Sequence, residues 1–426
     1  MKSRNRQPQS RPSRPVPQTS NSRRAVLSQL PVPVPDSLWA IAHACRNDPR
    51  PNRLDLVIGV YRDDHGVTPV MGSVAEAERR LAMRSASKSY VGFSGDPVFS
   101  AEISSLILGD TGEGRTTAVQ AVGGTGALHI LARMAVLSRP DARIWVGSPT
   151  YVNHEQLFRT AGLQVQTFPF LDAAQRPSTQ AVLDAVAQAR RGDLLLIQGC
   201  CHNPTGTEME PADWEAITEA AQKAGVVPFI DVAYYGLGQG LEKDLAGLRY
   251  LTQRVPEAFV AVSGAKAFGL YNDRVGAALV LSDAEDVARV RGTLEGIARA
   301  EYSQPPHHGA AIVAEILGDP SLREEWAKEL EAMRVRLNTL RSMFLDNLDP
   351  KVQQRPEWQA LRKHFGMFTT LPLEPWQMQK LREDFAIYGT DGGRINIAGL
   401  PTLRAKELAE AVSVVALAQE TKAKAS

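Results

Sequence analysis

Residues 193–232, DLLLIQGCCHNPTGTEMEPADWEAITEAAQKAGVVPFIDV, decide the fold. An apolar run, DLLLIQG, leads through a turn rich in Asn, Pro, Gly and Thr into a helical pattern, PADWEAITEAAQKAG. A second apolar run, VVPFIDV, closes the stretch. Strand, helix and strand in that order make a βαβ unit with parallel strands. The same alternation extends outward from about residue 118 to 282. Before it come TAVQAV with GALHILARMAVLSR, RIWVG with NHEQLFRTAG, and QVQTFPF with STQAVLDAVAQARR; after it come AFVAVSG and VGAALVL. The expectation is a mainly parallel sheet sandwiched by helices, with ligands at the carboxyl ends of its strands.

The pattern changes past residue 282. SLREEWAKELEAMRVRLNTLRSMFLDNL reads as one long helix, strands follow near GMFTTL and RINIAG, and a last helix begins at about residue 402. These features predict a smaller α+β domain. Four segments result: a basic tail over 1–28, a Pro-punctuated arm and small-domain part over 29–60, a large domain over 61–325 and a small domain over 326–426. A chain of 426 residues exceeds what one core serves, so division is expected.

Composition excludes several functional classes. Hydrophobic residues at 43% and charged residues at 22% belong to a folded protein, and no apolar stretch nears the length of a spanning helix. Residues 1–28 hold seven basic side chains and no acid, which leaves 41 basic against 47 acidic groups in the rest. A body of that sign gives no electrostatic reason to bind nucleic acid or a membrane. The tail, composed of Pro, Ser, Gln and Arg, buries nothing and is expected to be disordered. Cys45, Cys200 and Cys201 are odd in number and make no CxxC pair, which suits a reducing compartment, the cytoplasm, and argues against a disulfide framework or a Cys-based zinc site.

Polar residues cluster at the strand ends. Gly123, Gly124, Thr125 and Gly126 lie between a strand and a helix, where backbone N–H groups cradle a phosphate or simply make a tight turn. Asn203 stands before Pro204 and Gly206, as in an ordinary turn. Asp231 leaves its apolar run three residues before Tyr234 and, taken alone, serves equally as a helix cap. Lys266 follows the AFVAVS run, which ends on Ser263, and Arg274 precedes the next strand. One ligand uses them all: pyridoxal phosphate. Its aldehyde needs a lysine, its ring nitrogen a carboxylate, and its phosphate N–H groups plus a cation.

With these residues in place the sequence resembles the class I aminotransferases, and among them the aspartate and aromatic amino acid aminotransferase family of pyridoxal phosphate fold type I. DLVIGVYRDDHGVTPV, KSYVGFSGDPVF, AVGGTGAL, SPTYVNHEQLF, HNPTG, FIDVAYYGL, KAFGLYNDRVGA, ARAEYSQPPHHGA, FGMF and GGRINIAGL occur in the family's order between about residues 33 and 420. The resemblance implies a seven-stranded large-domain sheet and a homodimer with shared active sites. It implies that Lys266 carries the cofactor and moves the proton, that Asp231 pairs with the ring nitrogen, and that Tyr234 and Asn203 contact the ring hydroxyl. Gly123, Gly124, Thr125, Ser263 and Arg274 would hold the phosphate, joined by Tyr90 of the second subunit. His154 would stand behind Asp231. Arg394 would clamp the substrate α-carboxylate, Arg299 would reach a distal carboxylate across the dimer, and Gly59, Tyr151 and Asn203 would border the substrate.

Two departures bear on specificity. Tyr151 stands where the family usually has a Trp, and Gly264 and Ala265 replace a bulkier pair before the lysine. The activity implied is transfer of an amino group between an L-amino acid, dicarboxylic or aromatic, and a 2-oxo acid such as 2-oxoglutarate. The alternative on the same fold is a lyase, racemase or synthase acting on an amino acid. A nucleic-acid-binding regulator is disfavoured, because 28 residues are too few for a helix-turn-helix domain.

Overall fold

The structure, a computed structural model, describes residues 26–30, 32, 36–85, 87–172 and 174–419. The expected disordered tail over 1–28 therefore lies almost wholly outside the described residues. Among the described residues before Ser37, Val26–Gln29 is a single 3-10 turn.

Eleven strands are present among the described residues: β1 (Leu54–Asp55), β2 (Thr116–Val122), β3 (Arg143–Ser148), β4 (Gln164–Pro169), β5 (Leu194–Gln198), β6 (Val227–Val232), β7 (Ala258–Ser263), β8 (Val275–Leu281), β9 (Phe368–Thr370), β10 (Ile387–Tyr388) and β11 (Arg394–Asn396). Seven of them make the central sheet in the order β2-β8-β7-β6-β5-β3-β4. Helices connect successive strands from β2 to β7, for instance Pro211–Ala224 between β5 and β6. Its start follows from sequence: Pro211 opens the first turn, and Glu210 and Asp213 satisfy each other's backbone N–H in a capping box.

β8 alone runs antiparallel to both its neighbours. The apolar pattern of VGAALVL does not reveal this direction, but the connection does. Only residues 264–274 separate β7 from β8, too few for a helical crossover, so the chain must turn straight back. That return loop carries Lys266 and Arg274.

The sheet is buried on both faces. Leu195 and Ile197 of β5 enter one apolar cluster with Ile230, Val232, Val260 and Val262, whereas Leu194 and Leu196 enter the other with Phe229, Phe259 and Ala261. This two-residue alternation, with apolar residues at both phases, explains why the strands read as unbroken apolar runs. A third cluster joins Leu54 and Leu56 to Leu340, Phe344, Met378, Ile395 and Val412. The segment around residue 54 thus packs with the C-terminal part of the chain, and β1 pairs in parallel with β10.

The helix Pro320–Asp346 spans two of these clusters. Leu322, Trp326, Leu330 and Leu337 belong to the first, and Leu340 and Phe344 to the third. Their spacing of three, four or seven residues puts them on one stripe. Asp319 caps the helix by accepting from the N–H groups of Ser321 and Leu322. Among the described residues no helix is long and apolar enough to cross a membrane.

Candidate active site

The carboxyl ends of β5, β6 and β7 bring Asn203, Asp231, Tyr234, Ser263 and Lys266 to one edge of the sheet. Asp231 is the fifth residue of β6 and pairs in register with Gln198, the last residue of β5. One of its oxygens, Oδ2, lies 3.2 Å from His154 Nε2, and the imidazole is closed to solvent. Thr150 Oγ1 lies 2.7 Å from His154 Nδ1 and also accepts from Gln198 Nε2 at 3.4 Å. Thr150 and Asp231 thus hold the two ring nitrogens of His154, which fixes the orientation of the imidazole and of the carboxylate.

Gln198 does a second job. Its amide donates to Asn203 O at 2.9 Å and accepts from Asn203 N at 2.8 Å, tying the turn at 203 to the strand. Asn203 Nδ2 then donates to Tyr234 OH at 3.2 Å. Burial, and next the neighbouring Asp231, push the Tyr234 phenol well above its ordinary pKa, so it remains an uncharged hydrogen-bonding group.

Lys266 Nζ lies 5.0 Å from the centre of the Tyr234 ring. Burial lowers its pKa, with Asp231 opposing and Arg274 adding to the effect, a shift toward the uncharged amine. The backbone that carries it is held from behind: Trp326 Nε1 donates to Ala267 O at 2.8 Å, and its indole stacks on Phe268 at 4.7 Å between centroids.

The phosphate-type loop is built as a cradle. Gly123 has φ +66° and donates its N–H to Arg274 O at 2.7 Å, and a Cβ on it would fall 2.4 Å from an Arg274 guanidinium nitrogen. A Cβ on Gly124 would fall 2.9 Å from that of Ser263. Only glycines admit this approach. The helix Gly123–Ser138 starts here with no side chain capping it, and the first N–H groups of a helix lack intrahelical acceptors. Thr125 sits exposed in the first turn. A cation, a hydroxyl and a free helix start converge, which fits a phosphate monoester.

Arg394 on β11 is buried, and no carboxylate of the described residues pairs with it. One guanidinium nitrogen, Nη2, donates to Val57 O at 2.6 Å, Nε has no partner among the described residues, and the group lies 4.6 Å from the Phe368 ring centre. Burial lowers its pKa, while Tyr234 and Tyr151 favour the charge. A buried cation with a donor to spare is a carboxylate site. Phe368 also meets the Tyr234 ring edge-on at 5.7 Å, so it walls the space between the two. Tyr151 packs edge-on against His154 at 5.3 Å.

Two predicted residues lie apart from this group. Tyr90 is 90% exposed, and Arg299, also exposed, stacks over Phe93 at 4.9 Å. Gln304 Oε1 accepts from Val91 N at 3.1 Å, so both belong to one surface patch. Glu301, a conceivable partner for Arg299, is paired with His129 at 2.9 Å instead. Sequence reading missed Gln198, Thr150 and Phe368. Gln198 carried a signal, as the polar residue that ends an apolar run; Phe368 stood in the motif FGMF with no role attached to it.

Carboxylate, lysine, phenol and phosphate cradle are the complement of pyridoxal phosphate, and with the sheet they define an enzyme of that cofactor's fold type I. The sequence pattern of the family "Aminotransferase class I and II" matches residues 51–412. The chain is 43% identical to a tyrosine aminotransferase of Rhizobium meliloti (strain 1021), covering 88% of this chain and 96% of that one. It is 37% identical to an aspartate aminotransferase of Escherichia coli (strain K12), covering 89% and 97%. A solved aromatic-amino-acid aminotransferase from Burkholderia pseudomallei, covalently bound to pyridoxal phosphate, superposes with a TM-score of 0.89 at 33% identity, covering 92% and 100%. The protein belongs to the class I and II aminotransferases: it uses pyridoxal phosphate to transfer an amino group between an amino acid and a 2-oxo acid.

Proposed function

We propose that the chain is an L-amino acid:2-oxo acid aminotransferase of the cytoplasm, acting on dicarboxylic and aromatic donors as a homodimer. Arg394 carries the substrate side of this reading. Buried beside Tyr234 and Tyr151 and paired with no carboxylate of the described residues, it binds the α-carboxylate that every such donor and acceptor has. The relatives named for tyrosine and for aspartate support both donor classes.

Pyridoxal phosphate supplies an aldehyde that takes up the amine and a protonated ring that withdraws electrons from the substrate Cα. The residues divide the remaining work. Gly123, Gly124, Thr125, Ser263 and Arg274 hold the phosphate, with Tyr90 of the second subunit closing the cradle. Asp231, oriented by His154, keeps a proton on the ring nitrogen. Asn203 and Tyr234 hydrogen-bond the ring hydroxyl. Gly59 and Tyr151 border the substrate. Lys266 Nζ is the base that would take the proton from the substrate Cα.

The dimer is supported by what the single chain leaves bare. Val67, Val70, Met83 and Val98 are each more than half exposed near the Tyr90 patch in sequence, and a second copy covers such residues naturally. Arg299 would then meet the distal carboxylate of a dicarboxylic substrate in its partner's site.

A panel of L-amino acids, each assayed with 2-oxoglutarate for 2-oxo acid formed, tests the assignment. Turnover with glutamate or aspartate and with an aromatic donor is expected. Ammonia or a decarboxylated product formed without any 2-oxo acid acceptor would overturn it in favour of a lyase.

A further inference from the structure

The loop 57–62 crosses the site between Arg394 and the Lys266 loop, and one side chain governs its shape. Asn396 stands two residues after Arg394, so both point to the same side of β11. It is fully buried. Its Nδ2 donates to Ile58 O at 2.8 Å and to Val60 O at 2.7 Å, which brackets Gly59 from both sides. Val60 N closes a three-residue turn onto Ile58 O at 2.9 Å, with Gly59 at its apex.

Gly59 at that apex touches the substrate side. A Cβ on it would lie 2.5 Å from Phe368 Cζ, the same ring over which the Arg394 guanidinium lies. Gly59 N–H donates to no described residue, and Arg394 Nε has no partner either. Two unpaired donors therefore flank one aromatic wall. Phe368 pairs in register with Asn396 across β9 and β11, so wall, bracket and cation share a two-stranded frame.

We propose that Asn396 is a positioning residue for substrate: by bracketing Gly59 it aims the Gly59 N–H at the carboxylate that Arg394 binds. This rests on the reading of Gly59 and Arg394 as substrate-binding groups. The Asn396 hydrogen bonds go to the 57–62 loop and not to the cofactor cradle or Lys266, so its effect falls on substrate affinity rather than on the chemical step.

The test is the half-reaction of the holoenzyme with L-glutamate, followed by cofactor absorbance, in Asn396→Leu, Gly59→Ala and the double variant. Asn396→Leu removes both donors at similar volume. It is expected to weaken the glutamate dissociation constant by about tenfold to a hundredfold, the worth of a hydrogen bond to a charged group, with a nearly unchanged limiting rate. The double variant is expected to bind no more weakly than Gly59→Ala alone, because both changes act through one amide. The isosteric Asn396→Asp retains a donor only when protonated. Its glutamate affinity is therefore expected to fall as pH rises through the new carboxyl's titration, a step absent from the parent enzyme. Additive losses in the double variant, or unchanged affinity in Asn396→Leu and Asn396→Asp beside a weakened Gly59→Ala, overturn the role of Asn396 alone. Unchanged affinity in Gly59→Ala overturns the reading of Gly59 and the proposal with it.

Discussion

Asp231 Oδ2 faces His154 Nε2 across 3.2 Å, and the far side of that imidazole is held by Thr150 rather than by a second acid. The carboxylate is thus aimed by a chain of hydrogen-bonding side chains that runs through His154 and Thr150 to Gln198. Asp231→Ala removes the ring's proton-holding group and is expected to lower kcat/KM by several orders of magnitude with the fold intact. His154→Ala removes only the aim, expected to cost about tenfold to a hundredfold, the range of an outer ligand partner. Steady-state kinetics on the two variants check the ranking, and equal losses would contradict it.

Trp326 supports the Lys266 loop from the long helix, being 1% exposed, stacked on Phe268 and bonded to Ala267 O. Trp326→Ala is expected to destabilise the protein by about 3–5 kcal/mol through the cavity left behind. Trp326→Phe keeps a ring but leaves the carbonyl unpaired, for a smaller loss of about 1–3 kcal/mol. Denaturant unfolding of both variants measures the difference.

His364 and His202 are buried and held uncharged: burial pulls their pKa values down to about 4 and about 3 from an ordinary 6.5. An unfolded chain binds protons at these histidines below about pH 6.5, whereas the folded chain does not until near pH 4. Stability is therefore expected to be fully present above pH 6.5 and to fall as pH drops toward 4. Replacing His364 by Leu should flatten part of that acid limb, by roughly 3 kcal/mol at most. Melting temperatures between pH 7 and pH 4 for the parent and His364→Leu report it, and parallel curves would contradict the assignment.

Arg299 and Arg394 divide the substrate between them in the proposed dimer. Leaving one carboxylate unpaired costs roughly 2–5 kcal/mol, or about 30- to 4,000-fold. Arg299→Ala is expected to weaken glutamate and 2-oxoglutarate to that degree and to spare an aromatic donor. An equal drop in kcat/KM for both donors would show that Arg299 has only a structural part.

Much of the site was legible because its members end apolar runs. Asp231 lies near the end of its strand and Lys266 and Asn203 follow theirs, and the unbroken hydrophobicity of those strands announces a sheet buried on both faces. Gln198 obeyed the same rule and was passed over, since a Gln at a strand end has many ordinary uses. Phe368 and Asn396 stand in the motifs FGMF and GGRINIAGL, but their roles could not be read. Their importance comes from β9 pairing with β11 and from contacts with a loop more than 300 residues away, and no local pattern encodes those. The pairing of β1 with β10, likewise across more than 300 residues, was hidden for the same reason. The reversed direction of β8 was hidden in its apolar pattern but legible in the brevity of residues 264–274, a connection too short to cross over.

The central claim is that Lys266 carries the cofactor. Borohydride reduction of the purified protein, followed by peptide mass spectrometry, tests it most directly. The expected result is a yellow protein whose pyridoxyl phosphate mass is fixed to the peptide containing Lys266 and is lost from Lys266→Ala. A pyridoxyl group on another lysine, or on none, would contradict the account.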